Sequence, residues 1–223
     1  MEIQPVAIFH SPLPEKFGIP RQAGLAPSLT GRIVLEPSYR APEALRGLDG
    51  FDYLWLIWGF SLNRSGSAGL TVRPPRLGGN ERIGVFASRS PFRPNGLGLS
   101  SVRIESVDYE NGIIHVSGAD LADGTPVYDI KPYVEYADSH PGVRSGFVDK
   151  EDWEPLSVVF PQELQACLTA GEARAVTEIL SQDPRPSYQN DPCRIYGMTF
   201  AGWDIHFKVD GSTLTVLELH QLQ

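Results

Sequence analysis

The chain has 223 residues, a formal net charge of -8 and 41% hydrophobic residues, with two cysteines and five histidines. That is enough apolar material for one large domain or one domain plus a small appendage, and it excludes wholesale disorder. The acidic balance argues against a general nucleic-acid coat but leaves room for a local basic site.

Residues 3–10, IQPVAIFH, alternate loosely and predict a first strand, which Ser11-Pro12 ends. The stretch 15–28, EKFGIPRQAGLAPS, predicts an exposed Gly/Pro loop around Arg21. Residues 31–35, GRIVL, predict a short strand. Residues 42–47, PEALRG, suit one helical turn, with Pro42 at its start and Gly47 at its stop. The most apolar run is FDYLWLIWGFSL, 51–62, read as a fully buried strand with Tyr53, Trp55 and Trp58 as core aromatics. Residues 83–88, IGVFAS, predict a strand entering the loop SRSPFRPNGLG, and 99–107 predict another. Asn111-Gly112 then separates two alternating runs, the strongest short hairpin signal in the chain. A turn at Asp123-Gly124 interrupts 119–134, and the polar, broken stretch 139–155 marks a domain boundary.

Beyond that boundary, 161–181 carries Leu164, Leu168, Val176 and Leu180 at near-helical spacing, as one helix or as two broken at Gly171. RIYGMTF, WDIHFKV and STLTVLEL predict three strands, the last two joined by a turn at Asp210-Gly211. The expected fold is mainly β: a small β-barrel N-terminal domain over residues 1–140 and a small α+β C-terminal domain over 141–223.

Charge is divided along the chain. Residues 71–103 hold six arginines (Arg73, Arg76, Arg82, Arg89, Arg93 and Arg103) against one acid, Glu81, whereas 104–154 hold twelve acids against three bases. Six arginines on a looped, Gly/Pro-broken backbone must mostly face solvent or an anion, because burying unpaired charge is costly. The two stretches could also face each other, within one chain or across a dimer.

Several function classes are excluded. NGLGLSS, 95–101, superficially offers a dinucleotide loop, but a strand rather than a helix follows it. No G-x-x-x-x-G-K-[ST] loop and no G-x-S-x-G elbow is present. The histidines are scattered and the cysteines lack ligand spacing, so no metal site is expected. The first residues show no signal-peptide pattern, and no apolar run reaches the ~18 residues of a membrane helix, so the cytoplasm is the default location.

Pro20-Arg21-Gln22, Ser88-Arg89-Ser90, Arg93-Pro94-Asn95 and Asp123-Gly124-Thr125-Pro126 all lie on rigid turns at strand ends, where binding sites commonly sit. Together with RGLDGFDYLWLIWGF at 46–60, RPPRLGGNERIGVFASRSPFRPNGLGLSSV at 73–102, DLADGTPVYDIKPY at 120–133 and QDPRPSY at 182–188, they carry a resemblance to the TrmO-type (YaeB/VirR-like, TsaA-like) tRNA methyltransferases. The resemblance spans the whole barrel and reaches into the tail. It implies a homodimeric β-barrel that binds S-adenosylmethionine and methylates N6 of N6-threonylcarbamoyladenosine beside the tRNA anticodon. Carried over by motif, it implies cofactor contacts at Pro20, Arg21, Gln22, Arg89, Leu99, Asp123, Gly124, Thr125 and Pro126. Where the family often has His-Gln after the aromatic strand, this chain has Ser61 and Leu62, whose contacts would run through backbone atoms.

Arg21 or Arg89 can fork with the cofactor carboxylate, Asp123 can accept from ribose or ammonium, and Leu99 and Pro126 can flank adenine. Asp129 and Tyr133 are the candidate catalytic groups by proximity in sequence. Arg73, Arg76, Arg82 and Arg93 suit phosphates of an anticodon stem-loop. The alternative reading is a regulatory protein of the same fold that binds S-adenosylmethionine or a nucleotide without chemistry.

Overall fold

The structure is a computed structural model and describes residues 2–63, 69–74, 81–150, 154–186, 189 and 191–222. In chain order the strands are β1 (Ala7–His10), β2 (Thr30–Leu35), β3 (Tyr53–Gly59), β4 (Thr71–Val72), β5 (Ile83–Gly84), β6 (Leu97–Asp108), β7 (Ile113–Ser117), β8 (Thr125–Pro132), β9 (Ser157–Val159), β10 (Tyr196–Phe200), β11 (Trp203–Asp210) and β12 (Thr213–Gln221). β1, β2, β7, β6, β3 and β8 close into a barrel in that neighbour order, and every pairing around it is antiparallel. Closure leaves no unpaired strand edge. The Asn111-Gly112 turn joins β6 to β7 as its sequence predicts, with Asp108 opposite Ile113.

Period-two alternation fills the barrel. Phe9, Ile33, Leu54, Leu56, Ile114, Val116 and Val127 are each at most 1% exposed. The aromatic run is not buried on both faces, as its unbroken apolarity predicts. Leu54, Leu56 and Trp58 point inward, while Tyr53 lies exposed on the outer face. A closed antiparallel barrel has only one inner face, so half of such a run must find other cover. Trp55 finds it against Tyr133, with ring centroids 5.7 Å apart. At the end of β3 the Trp58 indole lies across β6, where a Cβ on Gly98 would come within 2.3 Å of the ring. Glycine is required there for close approach.

The second sheet runs β10-β11-β12-β9, with β9 parallel to β12. The helix Ala170–Ser181 contributes Ala175, Val176, Ile179 and Leu180 to its core. The stretch 161–181 forms two helices, Gln162–Gln165 and this one, as the second alternative expects, but the break falls before Gly171, which lies in the first turn of the second helix. The helix starts at a capping box, in which the Thr169 hydroxyl accepts from the Glu172 backbone and the Glu172 carboxylate accepts from the Thr169 backbone. Capping satisfies otherwise orphaned amides and fixes the start more strongly than one glycine can break it.

Two further expectations change. After β5 the chain turns through a 3-10 segment, Val85–Ala87, instead of continuing as a strand; the Ser88 hydroxyl donates to the Val85 carbonyl at 2.9 Å, offering the backbone an alternative to a ladder. The 15–28 loop is not simply exposed. Gly18, Pro20 and Ala26 are buried, and Leu13, Ala26 and Leu29 join the core formed by the second sheet and its helix. The Glu178 carboxylate accepts from both the amide and the hydroxyl of Ser28, each at 2.7 Å. Among the described residues, no helix is long and apolar enough to cross a membrane.

Candidate functional site

A cavity of about 500 Å³ opens where the ends of β3 and β6 meet the loop through Pro20. One wall is built on the barrel. The β3 end supplies Trp55 and Trp58, Phe60 follows, and β6 supplies Leu97, Gly98 and Leu99. Trp58 and Phe60 meet edge to face at 4.4 Å. The opposite wall is loop: Ile19, Pro20, Arg21 and Gln22. Lys16 and Asn63 hydrogen-bond to each other at the rim.

The charged groups of the cavity have distinct tasks. Arg89 donates from Nη1 to Gln22 Oε1 at 2.5 Å, so a loop glutamine orients the arginine that the sequence singles out. Arg93 donates from Nη1 to the Ser88 carbonyl at 2.6 Å, and Ser88 and Arg89 stand on the turn that this latch closes. Arg21 turns toward the C-terminal segment, donating from Nη2 to the carbonyls of Asp183 at 3.1 Å and Arg185 at 3.4 Å. Those carbonyls are held in turn by an ion pair between Arg185 and Asp183, 2.8 Å from Nε to Oδ1, with the arginine side chain 9% exposed.

Asp120 is the cavity carboxyl that sequence reasoning misses. Burial pushes its pKa above the ordinary carboxylate range, while hydrogen bonding from Ser100 and the nearby Arg89 charge oppose the rise. Ser100 Oγ donates to Asp120 Oδ1 at 2.5 Å and accepts from Trp58 Nε1 at 2.9 Å. Indole, hydroxyl and carboxyl thus form one polar line in the cavity wall. Asp120 sits in a loop-like ADLADG run beside the more conspicuous Asp123, and only its pairing across to β6 gives it away.

Of the sequence-predicted contacts, Pro20, Arg21, Gln22, Ser61, Leu62, Arg89, Leu99 and Thr125 line this cavity. Asp123, Gly124 and Pro126 do not. The Asp123 carboxylate instead accepts from the Ser11 amide at 3.1 Å, lies 3.2 Å from His10 Nδ1, and faces a second cleft on the other side of the turn. Gly124 donates its amide to the Phe9 carbonyl, and Pro126 stands opposite Ile8 in the β1–β8 ladder. Asp129 pairs with Lys131 at 3.0 Å, and Tyr133 packs on Tyr53 and Trp55; neither lines the cavity. Arg73 and Arg82 are exposed, the latter bonded to Thr71 Oγ1 at 3.2 Å. Arg76 lies outside the described residues. Among the described residues, neither Arg73 nor Arg82 forms an ion pair with the acidic 104–154 stretch.

Residues 8–139 match the family model for the tRNA-methyltransferase O N-terminal domain, and residues 153–222 match that for the TrmO C-terminal domain. The chain belongs to the TrmO family. Among relatives, this TrmO-family chain is 39% identical to the tRNA (adenine(37)-N6)-methyltransferase of Escherichia coli strain K12, over 93% of this chain and 91% of that one. It is 42% identical to a Pseudomonas aeruginosa protein provisionally named an S-adenosylmethionine-dependent methyltransferase, RcsF, over 92% and 91% of the two chains. A crystal structure of TrmO from P. aeruginosa superposes with a TM-score of 0.80 at 34% identity, covering 99% of this chain and 97% of that one. The described residues that line the cavity lie within the range of the N-terminal model, whereas the carbonyls that hold Arg21 belong to the C-terminal one.

Proposed function

We propose that this chain is an S-adenosylmethionine-dependent tRNA methyltransferase acting on N6 of N6-threonylcarbamoyladenosine beside the anticodon. The observation that carries the reading is the cavity in which a Gln22-oriented Arg89, the Asp120 carboxyl and an aromatic wall converge. Family membership and the names of the relatives support it. A volume of about 500 Å³ falls inside the ~300–1,000 Å³ range of small-molecule sites.

The residues fit the cofactor by chemistry. Arg89, an exposed guanidinium that Gln22 holds through Nη1, suits the methionine carboxylate. Asp120, once ionised, suits the ammonium, and Phe60, Trp55 and Leu99 suit an adenine. Arg21, engaged with two backbone carbonyls, instead holds the loop wall to the C-terminal domain. S-adenosylmethionine supplies an activated methyl group for in-line transfer to a nitrogen lone pair. The chain's contribution is to hold the two reactants in line and exclude water, so positioning carries much of the rate. The N6 proton must leave; Asp129 and Tyr133 do not line the cavity, and Asp120, which does, is the titratable carboxyl nearest the chemistry in this reading.

The RNA approaches across the arginine face. Arg73, Arg82 and the outer edge of the Arg93 turn, with Arg76 in the same run, suit phosphates of the anticodon stem-loop, and binding weakens as salt rises. Leu62, Leu70, Phe86 and Phe92 are 40–82% exposed. Such exposed apolar groups support burial in a homodimer beside the cavity. The barrel domain 1–140 carries the cofactor, the domain 141–223 braces it, and the cytoplasm supplies the tRNA.

The test is methyl transfer from labelled S-adenosylmethionine to tRNA from cells lacking this protein, with nucleosides identified by mass spectrometry. One extra methyl on threonylcarbamoyladenosine is the expected result. Bound cofactor without transfer to any tRNA would instead establish the regulatory reading.

A further inference from the structure

The outer face of the C-terminal sheet carries four titratable side chains that the tRNA chemistry does not use. Asp204 and His206 are on β11 and Glu218 and His220 on β12, with Asp204 opposite His220 and His206 opposite Glu218. Their convergence has a specific structural origin. The β11–β12 register shifts between His206 and Phe207, which gives β12 one extra residue, Leu217. Strict alternation from buried Val216 would turn Glu218 inward; the bulge reverses the faces, so that Leu219 packs on the core while Glu218 and His220 point out beside His206. The face above His206 is also open. Its neighbour on β10 is Gly197, and a Cβ there would lie 3.0 Å from Asp204 Oδ1, 3.5 Å from His206 Cδ2 and 3.7 Å from His206 Nε2.

We propose that His206, Glu218 and His220 form a binding site for a divalent transition-metal ion of the zinc class, with Asp204 orienting the His206 ring. One ligand atom from each of the three lies within 4.8 Å of the others. A zinc ion with metal–ligand lengths of ~2.0–2.2 Å holds tetrahedral ligands on the order of 3.4 Å apart, so side-chain rotation of about an ångström closes the site. His206 Nε2 lies 3.0 Å from Asp204 Oδ2. With the proton on Nε2, the carboxylate accepts it and the Nδ1 lone pair turns toward Glu218 Oε2, 4.0 Å away. This carboxylate–histidine arrangement is what fixes metal-bound imidazoles elsewhere. His220 Nε2 is 2.7 Å from the same Glu218 oxygen, so both rings address one carboxylate. Two imidazoles and one carboxylate favour zinc, copper or nickel over magnesium or calcium, and three protein ligands leave a fourth position for water. The bound ion staples β11 to β12 near the chain's end.

The test uses untagged, chelator-treated full-length protein titrated with zinc chloride by calorimetry. One ion per chain is expected, with affinity lowered at least ~10-fold in His206→Ala and in His220→Ala, and ~10–100-fold in Asp204→Asn. Cobalt(II) provides a second readout, since tetrahedral coordination gives intense visible bands that the His206→Ala protein should lack. Unchanged melting of the variants without metal shows that they are folded. Absence of saturable zinc binding, or binding unaltered by both histidine substitutions, overturns the proposal, as does equal competition by magnesium.

Discussion

The two walls of the cavity are fixed in different ways. The strand wall, Trp55 to Phe60 and Leu97 to Leu99, is set by the antiparallel ladder between β3 and β6 and by the packed barrel interior. The loop wall, Ile19 to Gln22, has no ladder. It is held because Leu13, Ala26 and Leu29 on either side of it are buried in the second core, and because Arg21 and Ser28 are tied to residues 183–185 and 178. The C-terminal domain therefore braces a site whose lining, among the described residues, comes from the N-terminal part of the chain. Polar ends and apolar anchors substitute for a sheet wherever a binding loop must be both irregular and rigid.

This contrast can be broken first at the cores. Leu56→Ala in the barrel and Leu180→Ala under the second sheet each remove a fully buried side chain and should cost ~2–5 kcal/mol in chemical denaturation. Since the second core is shared, both variants should unfold in one transition; two separated transitions would show that the walls are independent. Next is Arg89→Ala, which removes the fork on the turn that meets the loop wall at Gln22 while leaving the fold alone. Its cofactor affinity in calorimetry should drop ~10–150-fold, the value of a lost charge-assisted contact of ~1.5–3 kcal/mol. Glu178→Ala acts on the other wall from outside the cavity. It leaves the Ser28 amide and hydroxyl without their acceptor and should cost ~1–3 kcal/mol of stability, with weaker cofactor binding as a consequence of loop release.

Asp120→Asn sharpens the comparison through pH. A carboxyl whose folded-state pKa lies above its ordinary value of 3.8 favours the folded state when protonated. The wild type therefore loses stability as pH climbs from about that value through the raised one, and the asparagine variant does not. Melting curves should place the variant above wild type at neutral pH and level with it in acid. Wild-type cofactor affinity should rise across the same window, while the variant's stays flat and low. The smallest effect is Thr169→Ala, which deletes a helix cap remote from both walls and should cost ~1 kcal/mol with unchanged binding.

The barrel was legible because its signals are local. Asn111-Gly112 names a hairpin by its two residues, and alternation in IQPVAIFH and GRIVL assigns strands without tertiary context. The Pro20–Gln22 and Arg89 turns were legible through their resemblance to a family. What escaped was set by partners distant in sequence. Asp120 reads as one acid among many until Ser100 and Trp58 meet it. The 15–28 loop looks exposed until Phe207 and Val176 cover its flanks. His206 and His220 look scattered because a hairpin, not a helix, brings them together, and a single inserted residue decides which face they share. Val85–Ala87 shows the opposite case, in which β-branched and aromatic composition reads as strand but a serine hydroxyl diverts the backbone.

The shared second core also sets an order of events. β1 closes the barrel on residues 125–127, a pairing available once little more than half of the chain has been synthesised. Leu13 and Leu29 must wait for partners as late as Val216. Folding during synthesis proceeds from the N-terminal side, and contacts across such separations form slowly because loop closure precedes their reward. A nascent barrel therefore holds the Pro20–Gln22 segment only by barrel-side contacts, Gln22 with Arg89 and the Gly24 amide with the Gly118 carbonyl, until the residues that bury Leu13 and Leu29 and accept from Arg21 have been synthesised.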